Sequence, residues 1–132
     1  NRAALVQLGL PISEFFIWFD DTELTERISQ KYNSYYVMNS VVIHKTRSTV
    51  APDIVTDDSR VPRYFYFFRN KFYVDKKYKG SYGVAKNLLF DTYTILKIIG
   101  HSKNKKFYRI CILVKGVLAG IIFNPKPKMI KK

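Results

Sequence analysis

The spacing of apolar positions along the chain predicts helices near both ends. Residues 2–8 have the composition of a short helix, which Gly9 and then Pro11 would end. From residue 61 onward, the pattern predicts three further helices that glycines and polar breaks separate. Their approximate bounds are residues 63–78, 82–99 and 105–123.

The three C-terminal helices differ in how their apolar residues are distributed. The first contains the run YFYFFRNKFYV and is apolar almost all round, which predicts deep burial or contact with a lipid headgroup zone. The second and third each carry one broad apolar face. These faces comprise Leu88, Leu89, Thr92, Ile95, Leu96 and Ile99, and then Phe107, Ile110, Cys111, Val114, Val117, Leu118 and Ile121. The start and polar side of the third helix carry Lys103, Lys105, Lys106, Arg109 and Lys115.

The apolar run at residues 15–19 is the most informative local pattern, because it ends in the adjacent acids Asp20 and Asp21. The run is predicted as a strand or a buried loop, and a helix follows over residues 22–31. This arrangement places a carboxylate at the end of a buried segment, where it can take part in a reaction. The alternative is helix capping, since Asp is favoured at the N-cap and suits the positive end of the helix dipole.

The middle of the chain changes from a strand-like to a loop-like pattern. Residues 35–44 are rich in Tyr, Val and Ile, which predicts one or two short strands ending at His44. Residues 45–60 carry Ser, Thr, Asp and Pro without a period, so we predict a loop, and loops of this length often cover a site. A lone histidine after an apolar strand is most often structural, because a metal site needs several convergent donors.

Charge is distributed unevenly over this chain of 132 residues, whose 47% hydrophobic content is enough for one packed domain. Residues 1–60 carry six Lys or Arg and eight acids, a net charge of −2. Residues 61–132 carry 17 Lys or Arg and two acids, a net charge of +15. Such an asymmetry indicates a basic C-terminal region that faces nucleic acid or an acidic membrane surface.

Cys111 is the only cysteine, which excludes an internal disulfide and favours a reducing compartment. The apolar residues around it predict a small core residue rather than a nucleophile. The longest uncharged stretch near the C-terminus falls well short of the roughly 20 apolar residues that a spanning helix needs. A transmembrane anchor is therefore not expected.

Three segments together resemble the C-terminal half of a family 2 glycosyltransferase of the inverting GT-A type, closest to its galactofuranosyltransferase-type members. They are FFIWFDDTELTERI at residues 15–28, VVIH at 41–44 and RYFYFFRNKFY at 63–73, with a GLP-type turn at 9–11 before them. The resemblance covers most of residues 1–80. It implies an α+β, mostly helical fold with short strands around the acids, followed by a helical C-terminal appendage. Residues 1–60 would belong to the catalytic domain, and residues 61–132 would form the basic, aromatic helical region.

The resemblance also implies roles for individual side chains. Asp21, the second acid, matches the catalytic base, which takes the proton of an acceptor hydroxyl as its oxygen attacks the anomeric carbon. Asp20 and Trp18 match positions that shape the acceptor site. His44 matches a histidine of the metal site, where a divalent cation, Mg²⁺ or Mn²⁺, neutralises the departing diphosphate.

Other polar residues near these motifs are expected to support the structure. Glu23 and Arg27 are spaced i,i+4 in the predicted helix and look like support for it, and the same is expected of Arg69 and Asn70. The family's N-terminal donor-binding half, with its metal-binding DxD motif, has no match in this sequence. The resemblance therefore implies a catalytic part that is inactive alone and needs that half as its partner.

The implied reaction transfers a sugar, galactofuranose in the closest members, from a nucleotide-sugar donor to a lipid-linked or cell-surface glycan acceptor, as in cell-wall polysaccharide synthesis. The basic, aromatic C-terminal region predicts a peripheral location at the cytoplasmic, anionic face of the cell membrane. A second copy of the chain is a further candidate partner. Two alternatives stay open: a basic, aromatic module that binds nucleic acid, and a non-catalytic remnant with a structural role.

Overall fold

The computed structural model describes residues 2–43, 45 and 53–130 of the chain. These residues form four α-helices and two short 3₁₀ helices. The α-helices are α1 (Arg2–Leu8), α2 (Asp20–Ser29), α3 (Tyr64–His101) and α4 (Lys106–Ile122), and the 3₁₀ helices are Ser13–Phe15 and Val61–Arg63. Each predicted helix is present, which confirms the mostly helical part of the predicted fold.

The α+β class is wrong, because the described residues contain no strand. Residues 35–43, predicted as strands, are an exposed segment in which Ser40 N–H donates to Val37 O at 3.1 Å, as in a turn. Residues 15–19, predicted as a strand or a buried loop, end a 3₁₀ helix and continue as a partly buried loop, so only the strand alternative is wrong there. A strand needs the hydrogen bonds of a neighbouring strand, and β-propensity alone does not supply them.

Helix α3 consists of two straight halves that meet at Gly80. Gly80 has φ of 57° and ψ of −140°, a backbone conformation that favours glycine. The first half of α3 (residues 64–79) and the second half (residues 81–101) correspond to the first two predicted C-terminal helices. The glycine that the sequence offers as a break is thus the position of the kink.

Two hydrophobic clusters hold the helices together. In the larger cluster, Ile54 and Val55 pack with residues of α3 and α4, including Phe68, Ile98 and Leu113. The smaller cluster joins residues before α2 to the first half of α3 and comprises Ile12, Phe15, Tyr73 and Val74. The segment before the acids is therefore packed directly against the first half of α3.

The second half of α3 buries its polar side and exposes its apolar side. The buried residues are Gly83, Asn87, Asp91, Thr94 and Ile98. The exposed ones include Leu88, Leu89, Tyr93, Leu96 and Ile99. The broad apolar face that the sequence predicts in this helix thus points mostly outward.

Helix α4 also exposes a broad apolar side, and it buries one arginine, one leucine and two glycines. Its buried residues are Arg109, Leu113, Gly116 and Gly120, while Phe107, Val114, Leu118, Ile121 and Ile122 are exposed. A Cβ atom at Gly116 would lie 2.7 Å from Phe65 O, and one at Gly120 would lie 2.9 Å from Arg69 O. The two glycines therefore allow α4 to approach the backbone of α3.

Arg109 is buried, so its predicted place on the polar, solvent-facing side of the third C-terminal helix is wrong. Its guanidinium donates to Asn104 O at 2.9 Å and to the carbonyl of Ile54, and it pairs with Asp58. These partners supply the hydrogen bonds that a buried cation requires.

A buried polar network joins the two halves of α3. The carboxylate of Asp75 accepts hydrogen bonds from Lys71 (2.9 Å), Lys79 (2.6 Å) and Asn87 (2.8 Å). Asp91 is also buried, and within the described residues its Oδ1 atom has no hydrogen-bond partner. Burial raises the pKa of Asp91 to about 6.

Candidate functional site

The acids Asp20 and Asp21 are the first two residues of α2, and both side chains are exposed. The N-cap of this helix is Phe19, which makes no side-chain capping hydrogen bond. Neither acid is therefore the N-cap, although both lie where the helix dipole favours negative charge.

The loop that leads to the acids has an unusual backbone. Phe16, Trp18 and Phe19 have φ values of 62°, 62° and 66°, in the left-handed region that bulky residues seldom adopt. Such conformations persist only where the surrounding structure holds them in place, and they cluster at functional sites. We call residues 15–21 the acid loop.

Asn70 holds the acid loop on α3. This asparagine is fully buried, and its Nδ2 donates to Phe15 O at 2.9 Å, Ile17 O at 3.0 Å and Trp18 O at 3.0 Å. The two N–H hydrogens of one amide group are thus shared among three backbone carbonyls within residues 15–18. These contacts fix the path of the backbone immediately before the acids.

Arg69 adds a second attachment. Its guanidinium donates to Glu14 O and lies 4.0 Å from the ring centroid of Phe123 and 5.0 Å from that of Tyr66. Its Nε also donates to Asn70 Oδ1 at 3.0 Å, which orients the amide. The packing support expected of Arg69 and Asn70 is present, and Asn70 provides it from the interior and not from the helix surface.

Glu23 fixes the first turn of α2 to the first half of α3. It is fully buried and accepts hydrogen bonds from Arg27 Nη2 (3.0 Å), Lys77 Nζ (3.0 Å) and Tyr78 OH (2.8 Å). Burial opposes ionisation of Glu23, but the hydrogen bonds from Lys77, Tyr78 and Arg27 outweigh it and lower the pKa of its carboxyl. Burial of the Tyr78 hydroxyl and its hydrogen bond to Glu23 raise the pKa of Tyr78 to about 12.

Arg27 connects this anchor to the turn after α1. Besides pairing with Glu23, its guanidinium donates to the carbonyls of Leu8, Gly9 (3.3 Å) and Leu10 (3.1 Å). The predicted i,i+4 pair is confirmed, and Arg27 also satisfies carbonyls at the end of α1. Helix α2 is thus fixed to both α1 and α3.

A shallow polar depression lies beside Asp21. It is lined by Asp21, Thr22, Thr25, Glu26, Ser29 and Ser34. Asp21 Oδ1 accepts from Thr22 N at 2.7 Å, whereas its Oδ2 accepts no hydrogen bond from the described residues. Hydroxyls and carboxylates are groups that hydrogen-bond to the hydroxyls of a sugar.

The structure separates the predicted acceptor residues from this depression. Neither Trp18 nor Asp20 lines it. Trp18 is half-buried, with its ring centroid 5.4 Å from that of Tyr64 and 6.0 Å from that of Phe67. Its contacts are those of a residue that packs the acid loop against α3.

His44, the predicted metal ligand, lies outside the described residues, so its position is not compared with that of Asp21. Within residues 2–43, 45 and 53–130, no group of three or more His, Cys, Asp or Glu side chains is arranged to hold a metal ion. The described residues thus do not form a donor set by themselves, and the divalent-metal site stays a prediction.

The predicted loop at residues 45–60 is described mainly at its end. Ile54 and Val55 are buried in the larger cluster, and Arg109 donates to the carbonyl of Ile54 and to Asp57 O at 3.0 Å. This end of the loop is therefore fixed to the core. The prediction that the loop covers a site concerns mostly residues 46–52, which lie outside the described part.

Sequence reasoning missed Lys77 and Tyr78 as partners of Glu23. Local spacing carries no signal for them, because 54 and 55 residues separate them from Glu23. Asn70 had a weak signal, since it is a neutral polar residue within the aromatic run YFYFFRNKFYV. A buried amide in such a run indicates a specific hydrogen-bonding task.

No helix in the described part of the chain is both long and apolar enough to cross a bilayer. No protein family model, curated protein or solved structure matches the chain.

Proposed function

We propose that this chain is the acceptor-binding, base-carrying part of an inverting family 2 glycosyltransferase, with Asp21 as general base. One observation carries the proposal: Asp21 is exposed beside a hydroxyl-lined depression, directly after a strained and anchored loop, and among residues 2–43, 45 and 53–130 nothing donates to its second carboxylate oxygen. A general base must lie within hydrogen-bond reach of the proton that it removes. The exposed Oδ2 of Asp21 meets that requirement for an acceptor bound in the depression.

In the proposed step, the acceptor hydroxyl gives its proton to Asp21 while its oxygen forms a bond to the anomeric carbon. The bond from that carbon to the diphosphate breaks, and the nucleoside diphosphate leaves with the electron pair. Attack from the face opposite the leaving group inverts the configuration. A donor-binding half supplies the nucleotide-sugar, of which galactofuranose is the sugar that the resemblance favours.

The anchoring of the acid loop supports a catalytic role. Asn70, Arg69 and Glu23 fix the backbone on both sides of Asp21, which limits the positions that its carboxylate can take. Such preorganisation is what a reacting group needs, because a displacement of about 1 Å can cost roughly 100-fold in rate.

A divalent cation is part of the proposal through the resemblance alone. When bound, it would neutralise charge on the departing diphosphate. His44 is the residue of this chain that would take part in holding it.

The peripheral membrane location is likewise proposed. The basic C-terminal region and the outward apolar faces of α3 and α4 support it. The nucleic-acid alternative is less well supported, because the aromatic run on which it was based is largely internal: the rings of Tyr64, Phe68, Phe72 and Tyr73 are buried, and the exposed rings of Tyr93 and Phe107 lie among exposed Leu and Ile side chains.

The test is Asp21→Asn in an enzyme that combines this chain with a donor-binding half. Turnover, measured as nucleoside diphosphate released in the presence of acceptor, should fall by about 10²- to 10⁴-fold, because the base is lost while the shape is kept. Circular dichroism checks that the variant folds. Near-normal turnover would remove Asp21 from the role of base.

Asp20→Asn is the matched comparison, since it removes the same charge one residue earlier. A residue that shapes the acceptor site should change the KM for acceptor more than kcat. An equal loss of kcat in both variants would mean that local charge, and not the base, is what the site requires.

A further inference from the structure

We infer that the outward faces of α4 and of the second half of α3 form a lipid-binding surface that lies in the headgroup region of an anionic bilayer. This inference deepens the proposed peripheral location and rests on it, whereas it does not require the transferase activity. We call the exposed apolar residues of these two helices the outer apolar surface; they are Tyr82, Leu88, Leu89, Phe90, Tyr93, Leu96, Ile99, Phe107, Tyr108, Val114, Leu118, Ile121 and Ile122.

The outer apolar surface is too exposed for a protein region surrounded by water. The exposed fractions are 74% for Leu89, 62% for Leu96 and 84% for Ile122. At 3.6 residues per turn, these side chains lie opposite the buried residues of the same helices, which in the second half of α3 are mostly polar. A helix of a water-soluble protein has the reverse arrangement, with its apolar side in the core.

Packing inside this region also resembles that of helices in lipid. Gly116 and Gly120 are spaced i,i+4 and bring α4 against the backbone of the first half of α3. On the other helix, Asn87 and Asp91 face inward and Leu89 and Leu96 face outward. Small residues at helix contacts, inward polar groups and outward aliphatic groups are typical of helices that contact acyl chains.

The charge around the surface selects an anionic partner. Over residues 81–130, Asp91 is the only acid, and it is buried. The exposed cations of this region are Lys86, Lys103, Lys105, Lys106, Lys115, Lys126 and Lys128. A second copy of the chain would bring the same cations together, whereas an anionic bilayer attracts them.

The exposed side chains favour lipid over nucleic acid as that partner. Leu, Ile and Val make up most of the outer apolar surface, and aliphatic side chains provide no ring on which a base can stack. They do insert readily between lipid headgroups, where apolar area and cationic charge add to the binding. We expect these helices to lie along the membrane surface, and no described helix is long and apolar enough to cross a bilayer.

The test is co-sedimentation of the chain with vesicles of phosphatidylcholine, with and without phosphatidylglycerol. The chain should bind the anionic vesicles, and rising salt should weaken the binding. Leu89→Glu/Leu96→Glu should lower the partition coefficient about tenfold or more, because it places two carboxylates in the buried interface. Tyr36→Glu/Met38→Glu is the control, with the same charge change at two exposed apolar residues in the segment after α2.

A second pair, Leu118→Glu/Ile122→Glu, tests α4 separately and should give a similar loss. Circular dichroism checks the fold of each variant. If the unmodified chain does not bind anionic vesicles, the peripheral location itself fails, while the test of Asp21 is unaffected. If the chain binds and both pairs of variants bind as well as the control, the location stands and this surface is excluded. The same two pairs of variants are also run on gel filtration and in an RNA filter-binding assay. If they lost a dimer or lost RNA binding while still binding vesicles, the inference would be overturned.

Discussion

The two halves of α3 are continuous in sequence, but the first buries mostly aromatic side chains and the second mostly polar ones. Before Gly80, the helix buries the aromatic side chains Tyr64, Phe68, Phe72 and Tyr73. After Gly80, it buries Asn87, Asp91 and Thr94, and Leu89 and Leu96 face outward. The first half carries the core and the acid loop, whereas the second half carries the outer apolar surface.

The difference shows that periodicity locates the faces of a helix without telling which face is inside. In the first half, the acid loop and α4 cover the aromatic side. In the second half, the kink at Gly80 and the hydrogen bond from Asn87 to Asp75 accompany a polar side that faces the first half of α3. The orientation of that half therefore depends on Gly80 and Asp75, which lie before it in the chain, and its own periodicity does not reveal it.

Matched truncations should separate the two halves most clearly. Phe68→Ala should lower the free energy of unfolding by about 3–5 kcal/mol, since it leaves a cavity in the larger cluster. Leu89→Ala should change it by less than about 0.5 kcal/mol, because that side chain is exposed. Urea denaturation followed by circular dichroism measures both. Similar losses in the two variants would contradict the outward orientation of the second half.

Glycine substitutions test the close approach of α4 to the first half. Gly116→Ala should destabilise the fold by about 1–3 kcal/mol, because its Cβ would lie 2.7 Å from Phe65 O and 2.9 Å from Phe68 Cβ. Gly100→Ala is the control in the second half, where an added Cβ meets nothing within 4 Å. It should stabilise by up to about 1 kcal/mol through helix propensity. Thermal unfolding of both variants gives the comparison, and a neutral Gly116→Ala would refute the tight contact.

The buried carboxylate of Asp91 makes the second half sensitive to pH. Its pKa rises from 3.8 to about 6 on folding through burial, with Lys71 opposing and Asp75 reinforcing the shift. The folded state therefore binds the proton more tightly than the unfolded state, so stability falls as pH rises from about 4 through about 6. Asp91→Asn should remove that dependence.

At pH 7 the same substitution should raise the free energy of unfolding by about 1–2 kcal/mol, because it makes neutral a buried carboxylate whose Oδ1 has no hydrogen-bond partner in the described part of the chain. Urea titrations at pH 4.5 and pH 7 measure both effects. Asp75→Asn is the contrasting variant: the pKa of Asp75 is lowered, since hydrogen bonds from Lys79 and Lys71 outweigh its burial. That variant should lose stability at pH 7. If Asp91→Asn also destabilised at pH 7, Asp91 would have a stabilising partner.

The helices were predictable because their signals are local. The 3.6-residue spacing and the glycine breaks placed every helix within a few residues of its observed bounds. The strands were not, since Tyr, Val and Ile at residues 35–43 have β-propensity but need a neighbouring strand.

The candidate site was predictable only in part. The adjacent acids and the pair Glu23 and Arg27 are visible in the sequence, because their relation is local. The left-handed residues of the acid loop are not, since nothing in their type favours that conformation. Their support comes from Asn70, which lies 52 to 55 positions further along the chain.

The dependence of the acid loop on Asn70 has a consequence for biosynthesis. Because the loop carries three bulky residues in an unfavourable backbone conformation, it gains its shape only when the asparagine is available to hold it. During translation, Asp21 leaves the ribosome long before Asn70 does. The residue proposed as the base therefore reaches its working position late, after the first half of α3 has emerged and folded, and a truncated nascent chain carries the acids without the site.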